Sequence, residues 1–214
     1  MVRVKICGIT NWTDARRSVD AGADALGFNF YKGSPRYIAP ADARVIARRL
    51  PRHVLTVGVF VNSPIAAILK VAREVDLNLL QLHGDESPVS VRQLAGYFPI
   101  VKAFRVRNGF KASHLARFQA ADAFLLDGFD RRLRGGTGKT FDWRVARAAK
   151  KYGPIVIAGG LTPENIADAI AETEPFAVDV CSGVETSPGK KDPVRLKALM
   201  NAVDRAKKAQ RHER

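Results

Sequence analysis

Ile155-Val156-Ile157-Ala158-Gly159-Gly160-Leu161-Thr162-Pro163-Glu164 holds the hinge of one strand-then-helix unit. The first four residues are apolar, mostly β-branched, and of strand length. Two glycines end the run. A threonine–proline pair then signals a helix start, because threonine can cap free N–H groups and proline at the first helical position gives up no hydrogen bond. A strand apolar at every position is buried on both faces, as in parallel sheets covered by helices.

The same unit recurs along the chain. Apolar runs of strand length stand at 2–6, 25–28, 55–61, 79–82, 100–104, 123–126, 155–158 and 177–180, each followed by a helix-like segment. Cap–proline pairs at Ser63-Pro64, Ser87-Pro88 and Asp192-Pro193 mark further helix starts. Eight such units within 214 residues predict an α/β fold, a single-domain (β/α)8 TIM barrel over residues 1–214, rather than an open doubly wound sheet. No linker or low-complexity boundary interrupts it, and a basic C-terminal tail begins at about residue 205.

Composition narrows the class. At 46% hydrophobic and 26% charged residues, the chain can bury one sizeable core. No apolar stretch approaches the roughly 18 residues of a membrane span, and the N-terminus runs straight into strand pattern without a signal-peptide layout. The expectation is a soluble, cytoplasmic protein with no membrane partner. Cys7 and Cys181 are far apart, with no Cys-x-x-Cys pair and no local histidine, so neither a disulfide framework nor a zinc site is expected. The excess of 35 Lys+Arg over 21 Asp+Glu gives a net charge of +14, compatible with a nucleic-acid surface or an anionic substrate. Much of it sits in pairs on helical segments, Arg16-Arg17 and Arg48-Arg49, and in the tail. Solvated helix faces account for most of that, and no nucleic-acid-binding motif accompanies it, so no nucleic-acid partner is expected.

In a barrel of this kind the loops after the strands build the active site. Cys7 follows the first run, directly before Gly8. Asn29-Phe30 and then Ser34-Pro35-Arg36-Tyr37 follow the second, Asn62 the third, His83-Gly84 the fourth, Arg105 the fifth and Asp127 the sixth. The last two runs end in Gly159-Gly160 and Cys181-Ser182-Gly183. Glycines there let backbone N–H groups approach an anion, and a helix beginning at Thr162-Pro163-Glu164 would turn its positive end to the same place. Gly159, Gly160, Ser182 and Gly183 are therefore the expected phosphate cradle. Gly135-Gly136-Thr137-Gly138-Lys139-Thr140 lacks P-loop spacing, so nucleotide hydrolysis is not expected.

Lys5-Ile6-Cys7-Gly8-Ile9-Thr10, Ser34-Pro35-Arg36-Tyr37-Ile38, Gln81-Leu82-His83-Gly84, Leu125-Leu126-Asp127, the 135–143 stretch, Ala158-Gly159-Gly160-Leu161 and Val178-Asp179-Val180-Cys181-Ser182-Gly183-Val184-Glu185 resemble, in order, the motif series of the phosphoribosylanthranilate isomerase family. The resemblance implies an Amadori rearrangement in tryptophan biosynthesis, with a small anionic phosphosugar as substrate and no metal or cofactor. By the same resemblance Asp127 matches the general acid that protonates the furanose ring oxygen, and Cys7 the general base that removes the sugar C2 proton. Arg36, Gln81, His83 and Asp179 are the implied substrate-binding residues. The chain is expected to act as a monomer or homodimer.

Each residue also has a plainer reading. Cys7 could be an inert buried thiol, Asp127 a turn residue, and Arg36 a surface charge rather than a fork gripping the anthranilate carboxylate. His83 either orients neighbours or lines the pocket. Phe28, Phe30 and Phe60 read as core or pocket wall. Lys5, two residues before Cys7 on one strand face, and Arg36 are candidate stabilisers of a thiolate.

Two features depart from the family pattern. Cys181 stands where many relatives carry serine, and the segment from Gly128 to Arg134, with Arg131, Arg132 and Arg134, is unusually basic; it either tunes substrate access or is a solvated loop. Rival functions are another phosphosugar isomerase barrel, such as that of the histidine pathway, whose first-strand base is an aspartate, and a basic nucleic-acid-binding barrel. Cys7 argues against the former. Because the first and eighth strands of a closed barrel are neighbours, Cys7 and Cys181 should share one rim.

Overall fold

In the computed structural model, which describes residues 2–107, 109–128 and 143–212, eight parallel strands pair in sequence order, and the eighth closes on the first. They are β1 (Arg3–Cys7), β2 (Ala25–Asn29), β3 (Leu55–Phe60), β4 (Leu79–Leu82), β5 (Ile100–Arg105), β6 (Ala123–Asp127), β7 (Ile155–Ala158) and β8 (Ala177–Val180). The closing register sets Lys5 beside Asp179 and Ile6 beside Val180. The expected TIM barrel is the observed fold.

Helices α1 (Trp12–Asp20), α2 (Pro40–Ala47), α3 (Ile65–Val75), α4 (Pro88–Ala95), α5 (Arg144–Ala149), α6 (Ile166–Thr173) and α7 (Pro193–His212) join the strands. A 3-10 helix, Ala112–Phe118, stands after β5 instead of an α-helix. Strand parity divides the apolar residues in two. Val101, Ala103, Ala123, Leu125, Val156, Ala158 and Ala177 pack together inside the barrel, while the larger cluster, including Leu26, Phe28, Leu80, Leu126, Ile157 and Val178, packs strands against helices. Phe28 and Phe60 are buried core, and Phe30 stacks on Phe60 at 5.3 Å between ring centroids.

The sequence places β4, β7 and β8 at their observed bounds and the other strands within one residue. The small differences matter. Cys7 pairs with Gly27, Asn29 with Val59, and Arg105 with Asp127, so these residues close strands rather than open loops. A side chain there inherits the rigidity of the sheet.

Helix starts differ more. Ser87 caps α4 by accepting from the Ser90 backbone N–H at 3.1 Å, and Asp192 caps α7 by accepting from the Val194 N–H at 2.8 Å. Ser63 instead donates to the Val61 carbonyl at 3.4 Å, and α3 begins after Pro64 without a side-chain cap. Thr162-Pro163-Glu164 forms a turn, not a helix start. Asn165 accepts from the Thr162 N–H at 2.8 Å and donates to the Gly160 carbonyl at 3.0 Å, which ties the loop together and delays α6 to Ile166. A hairpin of β9 (Glu185–Ser187) and β10 (Lys190–Lys191) between β8 and α7 has no counterpart in the sequence reading. Among the described residues no helix is long and apolar enough to cross a membrane. Arg131, Arg132, Arg134 and the glycine-rich stretch 135–140 lie outside the described residues.

Candidate active site

Residues two apart on a strand share a face, so the interior parity of Ala177, Leu125 and Leu79 carries upward to Asp179, Asp127 and Gln81. These meet in a cavity of about 320 Å³ at the C-terminal mouth, lined also by Cys7, Arg36, His83, Gly159, Gly160 and Ser182. Nine of the ten residues singled out from the sequence thus line one cavity. The tenth, Gly183, lies behind the lining, where a Cβ would stand 1.8 Å from the Leu161 carbonyl oxygen. That close approach requires glycine.

At the end of β1 stands Cys7. The neighbouring Cys181 thiol and the positive charge of Lys5 outweigh burial and the Asp179 charge, lowering its pKa to about 6. The Cys181 thiol, 3.8 Å from Glu185 Oε1, is pushed well above its ordinary range by Cys7 and by burial, so of the two sulfurs Cys7 is the one that ionises. Lys5 Nζ donates to Asp179 Oδ2 at 2.8 Å; burial works against its charge, but the Asp179 and Cys7 charges hold the ammonium above its usual range. Gly27, across from Cys7, makes room: a Cβ there would lie 2.8 Å from Cys7 Sγ and 3.0 Å from Lys5 Nζ.

Across the mouth, three strands round the ring, β6 presents Asp127. His83 Nε2 lies 3.2 Å from Asp127 Oδ2, and Gln81 Nε2 lies 2.9 Å from His83 Nδ1. With the amide donating to Nδ1, Nε2 is the nitrogen placed to donate to Asp127. Of the two readings of His83, orienting a neighbour fits, and it lines the cavity as well. Asp127 Oδ1 and Asp179 Oδ1 are buried without a hydrogen-bond partner among the described residues. The loop carrying His83 is pinned by Lys102, whose buried Nζ donates to Glu86 at 2.9 Å and to the Gly84 carbonyl at 2.7 Å.

Arg36 is not the free fork the sequence suggests. Its Nε donates to both carboxylate oxygens of Glu185 at 3.0 Å and its Nη2 to one of them at 2.6 Å. Cys181 and Lys5 are the groups that lower the Cys7 pKa most, and the Cys7 charge in turn helps hold the Arg36 guanidinium protonated, after the larger effect of Glu185. Glu185, which ends the 178–185 motif, and Lys191, in the polar stretch Gly189-Lys190-Lys191-Asp192, have no assigned role in the sequence. Nothing local in such a stretch signals that Lys191 is buried.

Gly159 and Gly160 hold φ of 88° and 65°, a left-handed conformation that glycine adopts without strain, and both line the cavity. The fold and mouth define a barrel enzyme equipped for acid–base chemistry on a small anionic ligand. The family described as N-(5'phosphoribosyl)anthranilate (PRA) isomerase matches residues 4–202, and the chain belongs to it. It is 49% identical over 200 residues to the N-(5'-phosphoribosyl)anthranilate isomerase of Citrifermentans bemidjiense, covering 94% of this chain and 96% of that one. It is 47% identical to that of Geobacter metallireducens, covering 94% and 98%. The crystal structure of phosphoribosyl anthranilate isomerase from Thermotoga maritima superposes with a TM-score of 0.88 at 46% identity, covering 95% of this chain and 99% of that one. A phosphoribosyl anthranilate isomerase in complex with reduced 1-(o-carboxyphenylamino)-1-deoxyribulose 5-phosphate superposes with a TM-score of 0.86 at 44% identity, covering 95% and 99%.

Proposed function

We infer that this chain is an N-(5'-phosphoribosyl)anthranilate isomerase, an aldose–ketose isomerase of tryptophan biosynthesis that yields 1-(2-carboxyphenylamino)-1-deoxyribulose 5-phosphate. The observation that carries the reading is that Cys7 and Asp127, on β1 and β6, line one cavity. The reaction needs an acid at the furanose ring oxygen and a base at C2, two separated groups on opposite sides of one substrate.

Asp127 is the acid in this reading. His83 occupies Oδ2, so the transferable proton sits on the unpartnered Oδ1, and its departure to the ring oxygen opens the sugar to an imine. Cys7 then removes the C2 proton, giving an enolamine that tautomerises to the ketone. Asp179 Oδ1 is free to accept from a sugar hydroxyl. Gly159, Gly160, Ser182 and Gly183 hold the phosphate, and the outer edge of Arg36 holds the anthranilate carboxylate. A monomer or a homodimer suffices, since the strand ends of one barrel supply every described lining residue. The phosphorylated substrate and the two unpaired thiols fit a cytoplasmic location.

The test is a fluorescence assay following consumption of phosphoribosylanthranilate. Turnover is expected. No turnover, together with tight, salt-sensitive nucleic-acid binding, would favour the basic-barrel alternative.

A further inference from the structure

A guanidinium can grip a carboxylate along two edges: Nε with one Nη, or the two Nη atoms together. Glu185 takes the first edge of Arg36, with bonds of 3.0, 3.0 and 2.6 Å. The second edge stays open, since Nη1 has no partner among the described residues and Arg36 lines the cavity.

Glu185 is itself held. Lys191 Nζ donates to its Oε1 at 2.8 Å and the Gly189 N–H to the same oxygen at 3.2 Å. The side chain of Glu185 is 4% exposed and that of Lys191 is 0% exposed, so neither is a solvated surface charge. Two cations against one carboxylate leave one positive charge in the cluster, and its open donors lie at the cavity edge of Arg36. Lys191 Nζ also donates to the Cys7 carbonyl at 2.5 Å and the Cys181 carbonyl at 3.3 Å. One buried ammonium therefore ties the arginine clamp to the strand ends bearing both thiols.

We propose that Glu185, buttressed by Lys191, is a positioning residue that sets substrate specificity: it fixes Arg36 edge-on so that its outer Nη pair grips an aromatic ortho-carboxylate in register with Cys7. This rests on reading Arg36 as the carboxylate fork. The opposite possibility, a Glu185 that competes with the substrate for Arg36, predicts effects of opposite sign.

Steady-state kinetics of the full-length Glu185→Gln enzyme, with phosphoribosylanthranilate and with the analogue lacking the carboxylate, decide the matter. A neutral amide cannot anchor the guanidinium as a carboxylate does, so KM for the natural substrate should rise about tenfold or more, with kcat changed less than about threefold and the analogue little affected. A fall in KM shows competition and overturns the proposal, as does an equal effect on both substrates. Arg36→Lys keeps the charge without the two-edged fork and should lose the preference for the carboxylated substrate; an intact preference overturns the clamp even where Glu185→Gln does not fold. Arg36→Met separates the two failures. If it impairs both substrates equally, the reading of Arg36 fails; if it is selective while Glu185→Gln is not, only the clamp fails.

Discussion

Cys7 and Cys181 stand at the seam at which the barrel closes, and each shifts the other's titration, the Cys7 thiol downward and the Cys181 thiol upward. Their neighbourhood follows from register: Ile6 pairs with Val180, so the next residue of each chain segment stands at the same height on the rim. A thiol donor beside a sulfur favours the charged form of that sulfur, here Cys7, and the neutral form of its own group. Serine at this position would offer an O–H able to donate in the same way.

The pH dependence of kcat/KM should report this contact. The base must be ionised, so activity is full above the Cys7 pKa and falls as pH drops through it, with an acidic limb near pH 6. Cys181→Ser should leave the limb close to that value. Cys181→Ala removes the donor and should move the limb to higher pH, so that activity near neutrality falls. An unmoved limb in Cys181→Ala would assign the low pKa to Lys5 alone.

Cys7→Ala should lower kcat by about 100-fold or more while KM for substrate changes little, because the thiolate acts on a proton and does not hold the phosphate. Asp127→Asn keeps the shape and the bond from His83 but has no acid proton, and should lose turnover to a similar extent. Single-turnover measurements check both. More than about a tenth of normal turnover in either variant would move that role to another residue.

Strand runs were legible because a parallel barrel strand is apolar at nearly every position, and their ends then marked Cys7, His83 and Asp127; Gln81 and Asp179, inside strands, were marked only by the family resemblance. The caps were legible only in part. Ser87 and Asp192 act as their local pattern implies, whereas the helix expected at Thr162 yields to side-chain bonds made by Asn165 with Thr162 and Gly160. Such a contest between a local cap and a loop's own hydrogen bonds is settled by tertiary packing. Glu185 and Lys191 were illegible as site residues for a related reason. A buried lysine looks like any other lysine until the fold shows which carbonyls surround it.

Lys5 and Asp179 form a buried ion pair, with side chains 9% and 7% exposed. Lys5→Met would leave the Asp179 carboxylate buried beside Cys7 without its cation, a change that typically destabilises by about 3–5 kcal/mol. Thermal or urea unfolding should show a loss of that order. Lys5→Met combined with Asp179→Leu should regain much of the stability, since a well-packed apolar pair often matches a buried ion pair, but should not regain activity. Equal stability of the single variant and the parent would mean that water reaches Asp179.

Gly183→Ala tests the loop after β8. A methyl placed 1.8 Å from the Leu161 carbonyl oxygen must push that loop and Ser182–Val184 apart, which separates the two strand-end glycine turns. KM for the phosphorylated substrate should rise about tenfold or more, and inhibition by inorganic phosphate should weaken in parallel, because a preorganised set of backbone donors is lost. Unchanged phosphate inhibition would place the phosphate elsewhere.

The two thiols also predict a response to oxidants. A thiolate is the reactive form, so Cys7 should attack an oxygen of hydrogen peroxide and break the O–O bond, giving the sulfenic acid and a hydroxide that leaves as water after protonation. Cys181, which lines the same cavity, can then attack that sulfur and expel water, closing a Cys7–Cys181 disulfide that a dithiol reductant reopens. Inactivation by mild peroxide should therefore be reversible. In Cys181→Ser no second thiol captures the sulfenic acid, so continued exposure should carry Cys7 to the sulfinic acid and activity should not return with reductant. Peptide mapping after peroxide treatment checks each step: the cross-linked peptide is expected in the parent, and oxidation confined to Cys181, or no oxidised cysteine while activity disappears, would sink the idea.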